Sequence, residues 1–68
     1  MVRVEVADAN GSQCEVRILW GGSSYSHGLT GINGRVTFDT NPGYGTIYVD
    51  GRKVHEGQIT RITRVHKK

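Results

Sequence analysis

The 68-residue chain has one cysteine (Cys14), one proline (Pro42), one phenylalanine (Phe38) and one tryptophan (Trp20). A lone cysteine excludes an internal disulfide framework and a multi-cysteine zinc site. No run of 18 apolar residues is present, so a helical membrane span is excluded and no membrane partner is expected. No basic-then-apolar leader follows Met1. Together with the unpaired cysteine this favours a cytoplasmic setting, unless the chain is a domain excised from a longer protein. The length allows one domain, residues 1–68, with no second unit. Area scaling gives roughly 4,200 Å² of folded surface against about 10,900 Å² unfolded, enough for one small core. A two-domain enzyme, a coiled coil and a disulfide knot are excluded. With 22% charged residues and a net charge of +3, the composition is that of a folded domain.

Acid is missing from one stretch. Residues 1–58 carry five Lys or Arg against six Asp or Glu, a net of −1, whereas residues 59–68 carry Arg61, Arg64, Lys67 and Lys68 and no acid. The basic character thus falls in a C-terminal strand or tail at 59–68. It reads either as a solvated end or as a basic edge strand that touches nucleic acid or an acidic partner.

What the chain has in quantity is alternation. Val2, Val4 and Val6 alternate with polar residues, as do Cys14, Val16, Ile18 and Trp20, then Val36 and Phe38, then Ile47 and Val49. Period two places such residues on one face of a strand. Between these runs stand Asn10-Gly11, Gly21-Gly22-Ser23-Ser24, Asn33-Gly34, Asn41-Pro42-Gly43 and Asp50-Gly51, the residues turns require. Strands are predicted near 2–7, 13–20, 25–31, 35–40, 44–50, 53–56 and 59–65. The fold class is all-β: a small Ig-like or prealbumin-like sandwich of about seven short, mainly antiparallel strands.

Register refines this. A two-residue turn at Asp50-Gly51 opposes Val49 to Arg52, Tyr48 to Lys53 and Ile47 to Val54, grouping the three apolar residues on one face. Asn33-Gly34 treated alike opposes Leu29 to Phe38 and Gly31 to Val36. Asn10-Gly11 does not fit a two-residue hairpin. Either a three-residue loop pairs Val6 with Val16, or the two strands lie in different sheets. Ile59, Ile62 and Val65 recur every three residues, so a bulge near Arg61 is expected in a cationic edge strand.

The turn signals occur in a recognisable order: Val4-Glu5-Val6-Ala7-Asp8-Ala9-Asn10-Gly11, then Thr30-Gly31-Ile32-Asn33-Gly34-Arg35-Val36-Thr37-Phe38, then Pro42-Gly43-Tyr44 through Tyr48-Val49-Asp50-Gly51. Over about residues 2–54 this resembles the carboxypeptidase regulatory-like domain, a small transthyretin-like β-sandwich. The chain departs from that pattern at Gly31, where the family usually has Asp, and in lacking a Pro after the first Asn-Gly turn. The resemblance implies a non-catalytic module that spaces, stiffens or docks larger proteins.

Candidate chemistry is sparse. His27, His55, His66 and Cys14 include no ligand pair at strand spacing, and no metal or other cofactor is expected. His27 is placed on the inward side at the rim, and His55 away from Val54 beside Thr46. Ser23, Ser24 and Ser26 surround His27, but neighbouring strand residues face opposite ways and no G-x-S-x-G elbow exists, so no enzyme is expected. Gly28 and Gly31 suit a bulge or a close strand approach, and Cys14 a small core position. Trp20 reads as a core lid. Tyr44 is expected to close one end with its hydroxyl bonded to backbone, and Tyr48 to face solvent opposite Lys53.

The binding residues singled out are therefore Tyr48, Lys53, Arg61, Arg64, Lys67 and Lys68. The expected function is that of a structural or protein-interaction module whose partner is another protein or the rest of a larger chain. The alternatives are nucleic-acid binding through the basic C-terminal segment, and carbohydrate binding through exposed aromatics. A dimer by edge-strand pairing is a further expectation.

Overall fold

The computed structural model describes all 68 residues and contains no helix. Its strands are β1 (Val2–Val6), β2 (Glu15–Trp20), β3 (Tyr25–Leu29), β4 (Arg35–Phe38), β5 (Gly43–Val49), β6 (Arg52–Ile59) and β7 (Ile62–Val65). They form a three-stranded sheet in the order β4-β1-β7 and a four-stranded sheet in the order β3-β2-β5-β6. Every pairing is antiparallel except β1 with β7. The folded surface is 4223 Å², close to the area expected from mass.

The alternating valines and isoleucines do what their period dictates. Val2, Val4, Val6 and Val65 from one sheet and Val16, Ile18, Ile47, Val49 and Ile59 from the other join Ala9, Cys14 and Phe38 in one buried cluster. Burying each such aliphatic side chain contributes about 1.5–3 kcal/mol, which must offset the ordering of the chain. Cys14 is fully buried, and Trp20 packs half-buried against the cluster with Nε1 donating to Ser26 Oγ at 3.0 Å. β1 and β2 lie in different sheets, which decides between the two arrangements left open at Asn10-Gly11.

Three expectations are corrected. Asn33-Gly34 does not close a hairpin, because β3 pairs with β2 while β4 pairs with β1. The chain crosses between sheets here. Thr30 N donates to Cys14 O, and the buried Thr30 hydroxyl accepts from Cys14 N at 2.8 Å. A turn closed by Gly34 N to Gly31 O then delivers β4 to the other sheet. Gly34 has φ +77, its carbonyl accepts from Val6 N at 2.7 Å, and a Cβ there would sit 2.7 Å from Val6 O. Only glycine fits.

The Asp50-Gly51 hairpin keeps Val49 opposite Arg52 and Tyr48 opposite Lys53, but a bulge follows, so Ile47 faces His55 instead of Val54. His55 consequently lies opposite Ile47, while Glu56 lies beside Thr46, and His55 Nε2 bonds the Gln58 carbonyl at 3.1 Å. The third correction concerns residues 59–65, which form no single bulged strand. β6 ends at Ile59, Thr60 and Arg61 make a corner, and β7 begins in the other sheet. Thr60 N donates to Thr63 Oγ1 and Thr60 Oγ1 to Ile62 O, so the corner satisfies its own polar groups. Ile59 and Val65 are buried but Ile62 points outward, which explains the period of three.

Candidate docking face and basic hollow

β3 wears its apolar residues on the outside. Opposite Val16 and Ile18 of β2 it places Gly28 and Ser26, so small residues face the core. The space is taken by neighbours: a Cβ on Gly28 would lie 3.1 Å from Val36 Cγ2 and 3.2 Å from Phe38 Cε1, and Ser26 receives the Trp20 indole. With the inner positions occupied from elsewhere, strand alternation turns Tyr25, His27 and Leu29 to solvent. This corrects the inward placement of His27 and the pairing of Leu29 with Phe38.

The outer face of the four-stranded sheet is consequently rich in aromatic and aliphatic groups. Tyr25 lies opposite Leu19, and one row across the sheet reads His27, Arg17, Tyr48, Lys53. Leu19, Tyr25 and Leu29 are 47%, 55% and 58% exposed. The Tyr25 and His27 rings are parallel, with centroids 6.4 Å apart. Glu15 ties the polar part together: it meets Arg17 Nη2 and His27 Nε2, each at 3.1 Å, and both contacts hold its carboxyl below the usual glutamate range. A shallow cleft of about 330 Å³ is lined by Arg17, Leu19, Tyr25, Tyr48 and Gly51. Tyr44, on the same strand, is exposed and does not close the sandwich end as expected.

The outer face of the three-stranded sheet is ionic. Register aligns Arg35 of β4, Glu5 of β1 and Arg64 of β7. The Glu5 carboxylate, largely shielded, receives Arg3 at 3.6 Å, Arg35 at 3.5 Å and Arg64 at 3.9 Å. Three cations therefore share one acid, although they stand far apart in the chain. Arg64 also lines a second hollow, about 360 Å³, with Arg52, Lys53, Val54, Val65, His66 and Lys68. No acidic side chain lines it. The tail that completes it is held by Asp8, whose carboxylate accepts from Lys67 N at 2.8 Å and Lys68 N at 3.3 Å. The Lys67 contact is the main reason the Asp8 carboxyl lies below its ordinary pKa of 3.8.

Of the six binding residues read from sequence, the fold brings together Lys53, Arg64 and Lys68 in the basic hollow. Tyr48 stands outside it but directly opposite Lys53. Arg61 sits at the corner before β7, away from the hollow, and Lys67 is half-buried. Arg52 and His66 belong to the same hollow, and Arg3 and Arg35 extend its charge; sequence reasoning singled out none of these four as a binding residue. It also missed Leu19, Tyr25 and Leu29 as a surface. The usable signal was the alternation of Ser26 and Gly28 with three larger residues, which marks the small side as the inner one.

No three His, Cys, Asp or Glu side chains gather in a way that could hold a metal ion. His27 lies on the outer face of the four-stranded sheet, His55 on β6 and His66 beside the basic hollow. Compared with models of known protein families, with curated proteins and with solved structures, the chain matches none.

Proposed function

We propose that this chain is a non-catalytic protein-interaction module that docks a partner protein on the outer face of its four-stranded sheet. The observation that carries this is the exposure of Leu19 and Tyr25, directly opposite each other on neighbouring strands, with exposed Leu29 further along the same face. Large apolar groups gathered on a folded surface lose water when a complementary surface covers them, at about 25 cal/mol per Å². Tyrosine is suited to such faces because its ring is large, rigid and carries a polar tip. Arg17, His27 and Glu15, which lie between the Leu19–Tyr25 pair and Leu29 or beside Leu29, supply directional polar contacts. The two-sheet all-β architecture supports the resemblance to the carboxypeptidase regulatory-like domain, and the docking role is the one that resemblance implies.

The partner surface this face fits is apolar where it meets Leu19 and Tyr25 and polar where it meets Arg17, His27 and Glu15. The test places a photo-crosslinking residue at Leu29 and, separately, at Thr37 on the opposite sheet. Adducts with a protein partner are expected from position 29, lost in a Leu19→Asp background, and absent from position 37. Equal adducts from both positions would count against the reading.

A further inference from the structure

We propose that the basic hollow between β6 and the end of β7 binds the phosphodiester backbone of a single-stranded nucleic acid. Four cationic side chains, Arg52, Lys53, Arg64 and Lys68, gather there with His66, and no Asp or Glu side chain lines the hollow. Two of these cations have acidic neighbours outside it: Lys53 meets Glu56 at 3.3 Å and Arg64 meets Glu5 at 3.9 Å. The Lys53–Glu56 pair is exposed on both sides. The Arg64–Glu5 contact is long, with an exposed guanidinium and an acid that Arg3 and Arg35 also share, so both can yield to a polyanion. Only Val54 and Val65 among the lining residues are apolar. A peptide that binds by burying apolar anchors therefore finds little here, whereas an anion whose affinity comes from releasing counterions finds what it needs.

The charge does not stop at the rim. Arg64 belongs both to the hollow and to the row Arg35, Glu5, Arg64 across the three-stranded sheet, with Arg3 beside it. An extended cationic surface suits a chain of phosphates better than one isolated anion. Tyr48 lies opposite Lys53, within about 5.5 Å at Cβ, so a base adjoining a bound phosphate can stack on its ring. Stacking needs a base that is free to turn out, which selects a single strand over a duplex. The site uses a different surface from the proposed docking face, and the two meet at the Tyr48–Lys53 pair.

The experiment is fluorescence anisotropy of a labelled oligothymidylate over a series of salt concentrations. Four phosphate contacts predict a slope of log affinity against log salt of about −3. The double variant R64Q/K68Q, both positions exposed and compatible with the fold, is expected to lower that slope by about 1.4. Tyr48→Ala is expected to weaken binding roughly tenfold at unchanged slope. Leu29→Ser, which removes part of the docking face, leaves oligonucleotide affinity as it was, so the two proposals fail separately. A slope that the double variant leaves unaltered overturns the assignment. So does preference for an acidic phosphopeptide of equal charge over the oligonucleotide.

Discussion

The two sheets are alike inside and opposite outside. Both turn β-branched residues toward the shared core, Val2, Val4 and Val6 on one side and Val16, Ile18, Ile47 and Val49 on the other. Outward, the three-stranded sheet presents Arg3, Glu5, Arg35 and Arg64, a nearly closed ionic cluster, while the four-stranded sheet presents Leu19, Tyr25, His27, Leu29 and Tyr48. The difference teaches where information resides in a domain this small. Burial dictates every second residue, so the positions between them are what set the two outer surfaces apart. One face can expose Leu19, Tyr25 and Leu29 because the other keeps the molecule charged and hydrated.

The change expected to break both faces together is Gly34→Ala. A non-glycine residue at φ +77 is strained, and its Cβ would stand 2.7 Å from the Val6 carbonyl. A loss of about 3 kcal/mol in urea-denaturation stability is expected. That is a large part of what a domain of this size holds. A loss below about 0.5 kcal/mol would mean the crossover relaxes freely and does not hold the sheets in register.

A smaller effect, confined to the ionic face, is expected from Glu5→Gln. The substitution leaves Arg3, Arg35 and Arg64 without their shared acid. Because the guanidinium groups are roughly half exposed, a destabilisation of only about 1 kcal/mol at low salt is expected, shrinking as salt screens their repulsion. The same change frees Arg64 and should tighten oligonucleotide binding. A stability loss that does not respond to salt would show that Glu5 acts by packing.

The interior was legible because it follows from period alone, as did the Val49–Arg52 and Tyr48–Lys53 register set by Asp50-Gly51. Asn33-Gly34 misled because an Asn-Gly turn describes only its own four residues. Whether the flanking strands pair was decided elsewhere: β3 pairs with the preceding β2, Val16 opposite Gly28, and β4 with the distant β1, Val2 opposite Phe38. The same limit hid the ionic face. Arg3, Arg35 and Arg64 are scattered in sequence, so the concentration of charge in the last ten residues looked like the whole of it. β3 is turned the other way for a different reason: Val36 and Phe38 close over Gly28 and Trp20 bonds Ser26, so only small residues of β3 fit on the inner side.

The smallest effect concerns the tail on which the basic hollow depends. Asp8 is held below its ordinary pKa of 3.8, chiefly by the Lys67 amide, with the Lys68 amide and the His66 charge acting the same way. A carboxyl with a depressed folded pKa contributes stability that is complete above its unfolded value and is lost as pH falls through the folded value. The docked tail should therefore persist through pH 3.8 and loosen only below it. Amide NMR shifts of Lys67 and Lys68 should titrate together with a midpoint under 3.8, and Asp8→Asn should abolish that titration while leaving the core amides in place. A midpoint at or above 3.8 would detach Asp8 from the tail. The hollow would then lose the anchor that keeps Lys68 in its lining, while the Leu19–Tyr25 surface, which the tail does not line, would stand unaffected.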